Sequence, residues 1–317
     1  MKNWTTLFFI FGILSTCYSQ DSKIVSKVKL NIQDSLNTDY LIKRYRQLDS
    51  IDIFEITYLS DGLKIQSFAA IPKKEGKYPI IIFNRGGNRD FGALSFIKRG
   101  RTYPVAIGFS KLASNGYIVI GCNYRGGGKS EGSDEFGGKD VNDILNLIEV
   151  VKELPKADSN KIGMYGWSRG GMMTYLALTK TNQIKAAVVG AGRSDMTKID
   201  RPGMETNVYA ELIPAYWKNK EAELKKRSAV FFADKFSKNV PILLLHGNAD
   251  WRVKSTNALQ MALKFEEYRI PYRLKIFEGA DHGIREFRKE KDEEVISWFD
   301  RFLKNEEKTP NMDFHGN

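Results

Sequence analysis

The pentapeptide Gly166-Trp167-Ser168-Arg169-Gly170 follows a short strand-like run, Lys161-Ile162-Gly163-Met164-Tyr165, and a helical pattern opens at Gly171. A strand that turns at once into a helix leaves room for only small residues on either side of the apex. The serine at that apex is lifted clear of the backbone at the edge of a sheet. The N-terminus of the following helix then points at any negative charge that develops there. This G-x-S-x-G arrangement in a strand–turn–helix context implies a nucleophile elbow, with Ser168 as nucleophile.

The rest of the chain reads as the sheet that such an elbow requires. Residues 51–60 and 63–72 form two strands joined by Asp61-Gly62, a strong hairpin signal. The short apolar run at 78–83 suits a strand covered on both faces, and 117–122, 161–166, 186–189, 241–245 and 272–277 read as further strands. Helical patterns at 140–154, 170–180, 255–268 and 292–304 alternate with them. The expected fold is therefore an α/β-hydrolase: a mostly parallel central sheet with an antiparallel N-terminal hairpin, helices on both faces and a small helical lid. The lid is assigned to residues 193–240, a strandless stretch rich in Tyr, Trp, Lys and Glu. The expected organisation is a leader over 1–19, an extension over 20–50, a catalytic domain over 51–305 that contains the lid, and a flexible tail over 306–317.

A serine nucleophile needs a base, and the chain holds three histidines. His315 lies in the tail. His246 ends a strand and precedes Gly247-Asn248-Ala249-Asp250, so it reads as a structural group closing the loop that carries the acid. His282 follows the last strand, in Gly279-Ala280-Asp281-His282-Gly283, where the base of this fold sits. The chain order Ser168, Asp250, His282 is the Ser…Asp…His order of the fold. In that reading His282 accepts the Ser168 proton and later donates it to the leaving group, while Asp250 fixes the imidazole tautomer. Asp234 and Asp281 are weaker candidates for the acid. The oxyanion hole is expected from the backbone N–H of Arg169 and from the loop Asn84-Arg85-Gly86-Gly87, with Arg85 and Gly86 as candidates. Whether the Arg85 side chain takes part is left open. Trp167, Tyr209 and Trp217 are candidate pocket residues, with Tyr216 beside them; simple packing is the alternative for such lid aromatics.

Other chemistries fit poorly. Gly128-Lys129-Ser130 ends like a phosphate-binding loop, but Asn123 stands where that motif needs glycine, and Glu131 breaks the dinucleotide pattern. Scattered histidines make a zinc site improbable, and no cofactor is expected. The net charge of +11 is interleaved with acidic residues, which suits a solvated basic surface; nothing resembles a nucleic-acid motif. Lys2 followed by an apolar run at 7–14 reads as a secretory signal cleaved before Gln20. Leu14-Ser15-Thr16-Cys17 also admits a lipoprotein signal with Cys17 acylated. The expected location is outside the cytoplasm, periplasmic or extracellular, without a transmembrane segment. Cys122 is then the one cysteine of the mature body and reads as a small buried apolar group.

Four segments together resemble the catalytic domain of the prolyl oligopeptidase family of serine peptidases. They are Arg85-Gly86-Gly87, Asn123-Tyr124-Arg125-Gly126, Gly166-Trp167-Ser168-Arg169-Gly170-Gly171, and the pair His246-Gly247-Asn248-Ala249-Asp250 through Val253 and Asp281-His282-Gly283. The resemblance spans roughly residues 55–305. It departs from the family at Arg85, where Tyr or His is usual, and at Arg169, where Tyr is commoner. The β-propeller that often gates these peptidases has no room before residue 51. The resemblance implies an acyl-enzyme at Ser168 and short peptides as substrates. An esterase, deacylase or dienelactone-hydrolase-like enzyme would use the same triad, and a catalytically inactive binding protein would keep the fold alone.

Overall fold

The computed structural model describes residues 22–31, 39, 43, 45–95, 97–98, 101–102 and 105–316; the leader, including Cys17, lies outside the described residues. The hairpin forms where Asp-Gly predicts it. β2 (Ile51–Ser60) and β3 (Leu63–Pro72) pair antiparallel. Asp61 and Gly62 turn between them at φ 50° and 79°, the left-handed backbone such a turn needs. An edge strand not read from sequence, β1 (Ile24–Leu30), pairs antiparallel with β2.

Beyond the hairpin come β4 (Tyr78–Asn84), α1 (Val105–Ser114), β5 (Ile118–Cys122), α2 (Val141–Lys152), β6 (Ala157–Trp167), α3 (Arg169–Leu178), β7 (Ile184–Gly190), β8 (Ile242–Gly247), α5 (Thr256–Tyr268), β9 (Tyr272–Phe277) and α6 (Arg288–Phe299). Between β7 and β8 the chain leaves the sheet as short helical pieces, the longest being α4 (Tyr216–Lys226). The nine strands run in the order β1-β2-β3-β5-β4-β6-β7-β8-β9. From β5 to β9 every pairing is parallel, so the chain is an α/β-hydrolase sheet with an antiparallel margin.

Alternate residues of the buried strands feed two cores. Ile80 and Ile82 face one side and Ile81 the other; Ile242 and Leu244 likewise oppose Leu243 and Leu245. Ile144 and Leu147 of α2, Met173 of α3 and Phe265 of α5 cover the first face. Phe109 of α1 and Trp298 and Phe299 of α6 cover the second. Cys122 is a free thiol within the sheet, and burial pushes its pKa up to about 12, so it stays protonated and unreactive at neutral pH. Among the described residues no helix is long and apolar enough to cross a membrane. Because β4, β6, β8 and β9 are parallel, the loops after all four emerge along one edge of the sheet.

Candidate active site

The elbow is built by steric necessity. Ser168 holds φ 59° and ψ −122°, a conformation that costs a non-glycine residue about 1–3 kcal/mol. Its N–H donates to the Gly190 carbonyl at 2.8 Å, which ties the apex to the end of β7. A Cβ on Gly170 would stand 1.9 Å from the Asn84 carbonyl oxygen, and one on Gly166 2.1 Å from that of Gly170. No side chain fits at either position, so the glycines of the pentapeptide follow from the close approach of β4, β6 and α3.

Asp250 and His282 meet above the same edge. Asp250 Oδ2 lies 2.7 Å from His282 Nδ1. The other carboxylate oxygen, Oδ1, accepts the N–H groups of Arg252 at 2.8 Å and Val253 at 3.0 Å. His246 is fully buried, with Nε2 2.8 Å from the Val253 carbonyl and 3.3 Å from Asp250 Oδ2. Burial by itself would raise the Asp250 carboxyl, but the hydrogen bonds from His246, His282 and Val253 outweigh it and hold the pKa well below the carboxylate range. Asp250 is thus an anion facing His282 Nδ1 at neutral pH. Ser168 and His282 line one cavity of about 270 Å³, without a direct hydrogen bond between them in this structure. Such contacts are often loose before substrate binds.

The other acid candidates lie elsewhere. Asp281 pairs with Arg285 and accepts the Gly283 N–H, and Asp234 is exposed on a short turn after α4. His315 is exposed and bonds to the Asp313 carbonyl.

Gly86 packs directly against the nucleophile: a Cβ there would lie 3.2 Å from Ser168 Cβ and 3.8 Å from Oγ. Its N–H and that of Arg169 donate to no group among the described residues. The Arg85 side chain, by contrast, is absent from the cavity. It is 1 % exposed and folds beneath its own loop, donating to the carbonyls of Arg89 at 2.8 Å, Gly86 at 3.2 Å and Phe91 at 3.4 Å. Its guanidinium therefore shapes the loop and does not face a reacting oxygen.

The Arg169 side chain is already bonded within the protein. It is buried, makes a two-pronged ion pair with Asp134 at 2.6 and 2.7 Å, and reaches Asp140 at 2.5 Å and the Gly87 carbonyl at 3.1 Å. Burial would lower its pKa, but the two carboxylates raise it, so the guanidinium is a fixed cation. Asp134 was not singled out in the sequence, because nothing in its local pattern announces a partner 35 residues away.

The aromatic candidates divide. Tyr209 is buried and lines the cavity beside Phe136, with ring centroids 5.2 Å apart. Trp217 is 65 % exposed on α4, stacked edge-on to Tyr216, and neither residue lines the cavity. Its place on the outer face of the short helix, not its residue type, removes it from the pocket. Trp167 also lies outside the cavity: its indole N–H donates to the His282 carbonyl at 3.0 Å, and it supports the base loop from below. Met172, Met196, Met204 and Val208 complete the apolar wall, none of them named by sequence reasoning. Among the described residues no group of three His, Cys, Asp or Glu side chains could hold a metal ion.

Comparison with known proteins identifies the family. The sequence model of the prolyl oligopeptidase family matches residues 105–306. An uncharacterised peptidase of Bacillus subtilis, YtmA, is 27% identical over 224 residues, which cover 70% of this chain and 82% of that protein. Dipeptidyl-peptidase 5 of Porphyromonas gingivalis is 24% identical over 261 residues, 77% of this chain and 37% of that one. Among solved structures, the acylaminoacyl peptidase of Pyrococcus horikoshii superposes with a TM-score of 0.69 at 25% identity, covering 87% of this chain and 45% of that one. The chain thus spans less than half the length of the latter two.

Proposed function

Because the chain belongs to the prolyl oligopeptidase family of serine peptidases, we propose that it is an exported peptidase that cleaves short peptides through an acyl-enzyme at Ser168. The observation that carries this reading is the Asp250–His282 pair at 2.7 Å, set on the cavity that Ser168 opens into. His282 Nε2 takes the Ser168 proton as the hydroxyl attacks the scissile carbonyl, and Asp250 stabilises the imidazolium that results. The N–H groups of Gly86 and Arg169 receive the oxyanion; losing one such donor typically costs about 10²–10³ in rate. His282 then returns the proton to the leaving amine, and water repeats the sequence to free the acid. Export rests on the leader of residues 1–19, with cleavage before Gln20 or lipidation at Cys17 as its two forms.

A fluorophosphonate probe, peptide mapping and a substrate panel test the proposal together. Ser168 should carry the label, Ser168→Ala should not, and that variant should lose several orders of magnitude in kcat while staying folded. Peptidyl and aminoacyl arylamides should turn over. Cleavage of p-nitrophenyl esters alone would replace the peptidase reading with an esterase sharing the triad.

A further inference from the structure

The walls of the catalytic cavity carry a charge imbalance. Four arginines line it, Arg169, Arg193, Arg201 and Arg252, and no Asp or Glu does. Two of the four are neutralised from behind: Arg169 by Asp134 and Asp140, Arg193 by Asp200 at 2.9 Å. Arg201 and Arg252 have no carboxylate within ion-pair reach among the described residues. Both are half-buried, so each guanidinium has given up part of its water without gaining a counter-charge.

Their placement is held by one ring. Trp251 lies near both, with the Arg201 guanidinium 5.3 Å and the Arg252 guanidinium 5.5 Å from its centroid. Stacking on an indole orients a guanidinium and leaves its in-plane N–H groups free to bind an anion. Arg201 comes from the segment inserted between β7 and β8, and Arg252 from the loop carrying Asp250, so two separate segments bring like charges to one opening. Packing of an exposed tryptophan needs only one of them, and it does not require either to line the cavity. A carboxylate placed between them would relieve their mutual repulsion and supply the missing counter-charge.

We infer that Arg201 and Arg252 select peptides carrying a carboxylate next to the scissile bond, with the neighbouring apolar side chain received by the methionine-rich wall. This inference rests on the peptidase reading above and names its substrate class. The carboxylate has two possible sources, an acidic side chain or the free C-terminus of a short peptide. The long-range field of a chain with net charge +11 would favour arrival of either.

Two pairs of twin peptides with a shared neutral core separate these sources: Glu against Gln beside the scissile bond, and a free against an amidated C-terminus. In the wild type the charged member of at least one pair should be favoured about tenfold or more in kcat/KM, mostly through KM. Calorimetry on Ser168→Ala should give the same order of preference in binding. In Arg201→Gln/Arg252→Gln the preference should fall below about threefold, while Arg252→Lys should keep part of it. Equal turnover and equal binding of the twins in both pairs would overturn the inference and leave the peptidase reading standing. So would a preference that survives in the double variant. If the wild type cleaves no peptide at all, the peptidase reading fails, and the calorimetric ratios on Ser168→Ala alone decide the role of the arginines.

Discussion

The floor and the mouth of the catalytic cavity use the same residue type for different ends. At the floor, Arg169 is buried, bonded to two carboxylates and a carbonyl, and flanked by the rings of Phe136 at 4.5 Å and Tyr124 at 5.1 Å. At the mouth, Arg201 and Arg252 are half-buried, lie against Trp251 and have no ion pair among the described residues. A guanidinium saturated by its own protein is scaffold: its bonds are already made, and it fixes the backbone N–H beside Ser168. One left unsaturated in a cavity has bonds still to make. Charge satisfaction, more than residue identity, separates positioning from recognition here.

The largest expected effect is at the acid, which like Arg169 is saturated by its own protein. Asp250→Asn keeps an oxygen for the N–H groups of Arg252 and Val253 but removes the anion facing His282. We expect kcat to fall about 10⁴-fold with little change in KM, measured on an arylamide substrate. The pH dependence of stability should follow. The Asp250 carboxyl is held below its unfolded value of about 3.9, so its contribution is complete above about pH 4 and is lost as the pH falls through the lowered value. The stability gap between wild type and Asp250→Asn, read from denaturant midpoints, should therefore be present at pH 7 and shrink towards pH 3.

Arg169→Gln sharpens the contrast on the scaffold side. It strands Asp134 and Asp140, both buried, without their cation. Removing one partner of a buried ion pair typically costs about 3–5 kcal/mol, and the denaturation midpoint should drop accordingly. Activity should fall as well, because the N–H of residue 169 and the loop at Gly87 lose a shared anchor. Unchanged stability would mean that the two carboxylates are carried by other groups, and the floor would not be the rigid part.

How far the sequence announced these parts depended on the range of the interaction. Local patterns placed the hairpin at Asp61-Gly62, the elbow around Ser168 and the last strand, Tyr272–Phe277, because turn chemistry and apolar runs are properties of neighbours. β1 escaped because it is an edge strand: Val25, Ser26, Lys27, Val28 and Lys29 are all exposed, so no buried face marks the run. α1 escaped because Gly108 and the buried, polar Ser110 interrupt a helix whose apolar residues buried among the described ones are Phe109, Leu112 and Ala113. The order Ser, Asp, His could be read along the chain, whereas the partners of Arg169 and the inward fold of Arg85 could not. Those depend on which distant loops share an edge, and a charged residue gives no local sign of whether its counter-charge is 35 residues away or absent.

The smallest expected effect is the most discriminating. Arg252→Gln removes a half-buried charge that makes no ion pair and leaves the backbone N–H that serves Asp250 in place. Its unfolding free energy should stay within about 0.5 kcal/mol of the wild type, as for surface substitutions away from special contacts, or rise slightly as repulsion from Arg201 is relieved. The same change at Arg169 is expected to cost several times more, so one assay on two Arg→Gln variants measures the difference between floor and mouth directly. A large loss of stability at Arg252 would mean that the stack on Trp251 holds the acid loop together. Arg252 would then join Arg169 as scaffold, and carboxylate selection would rest on Arg201 alone.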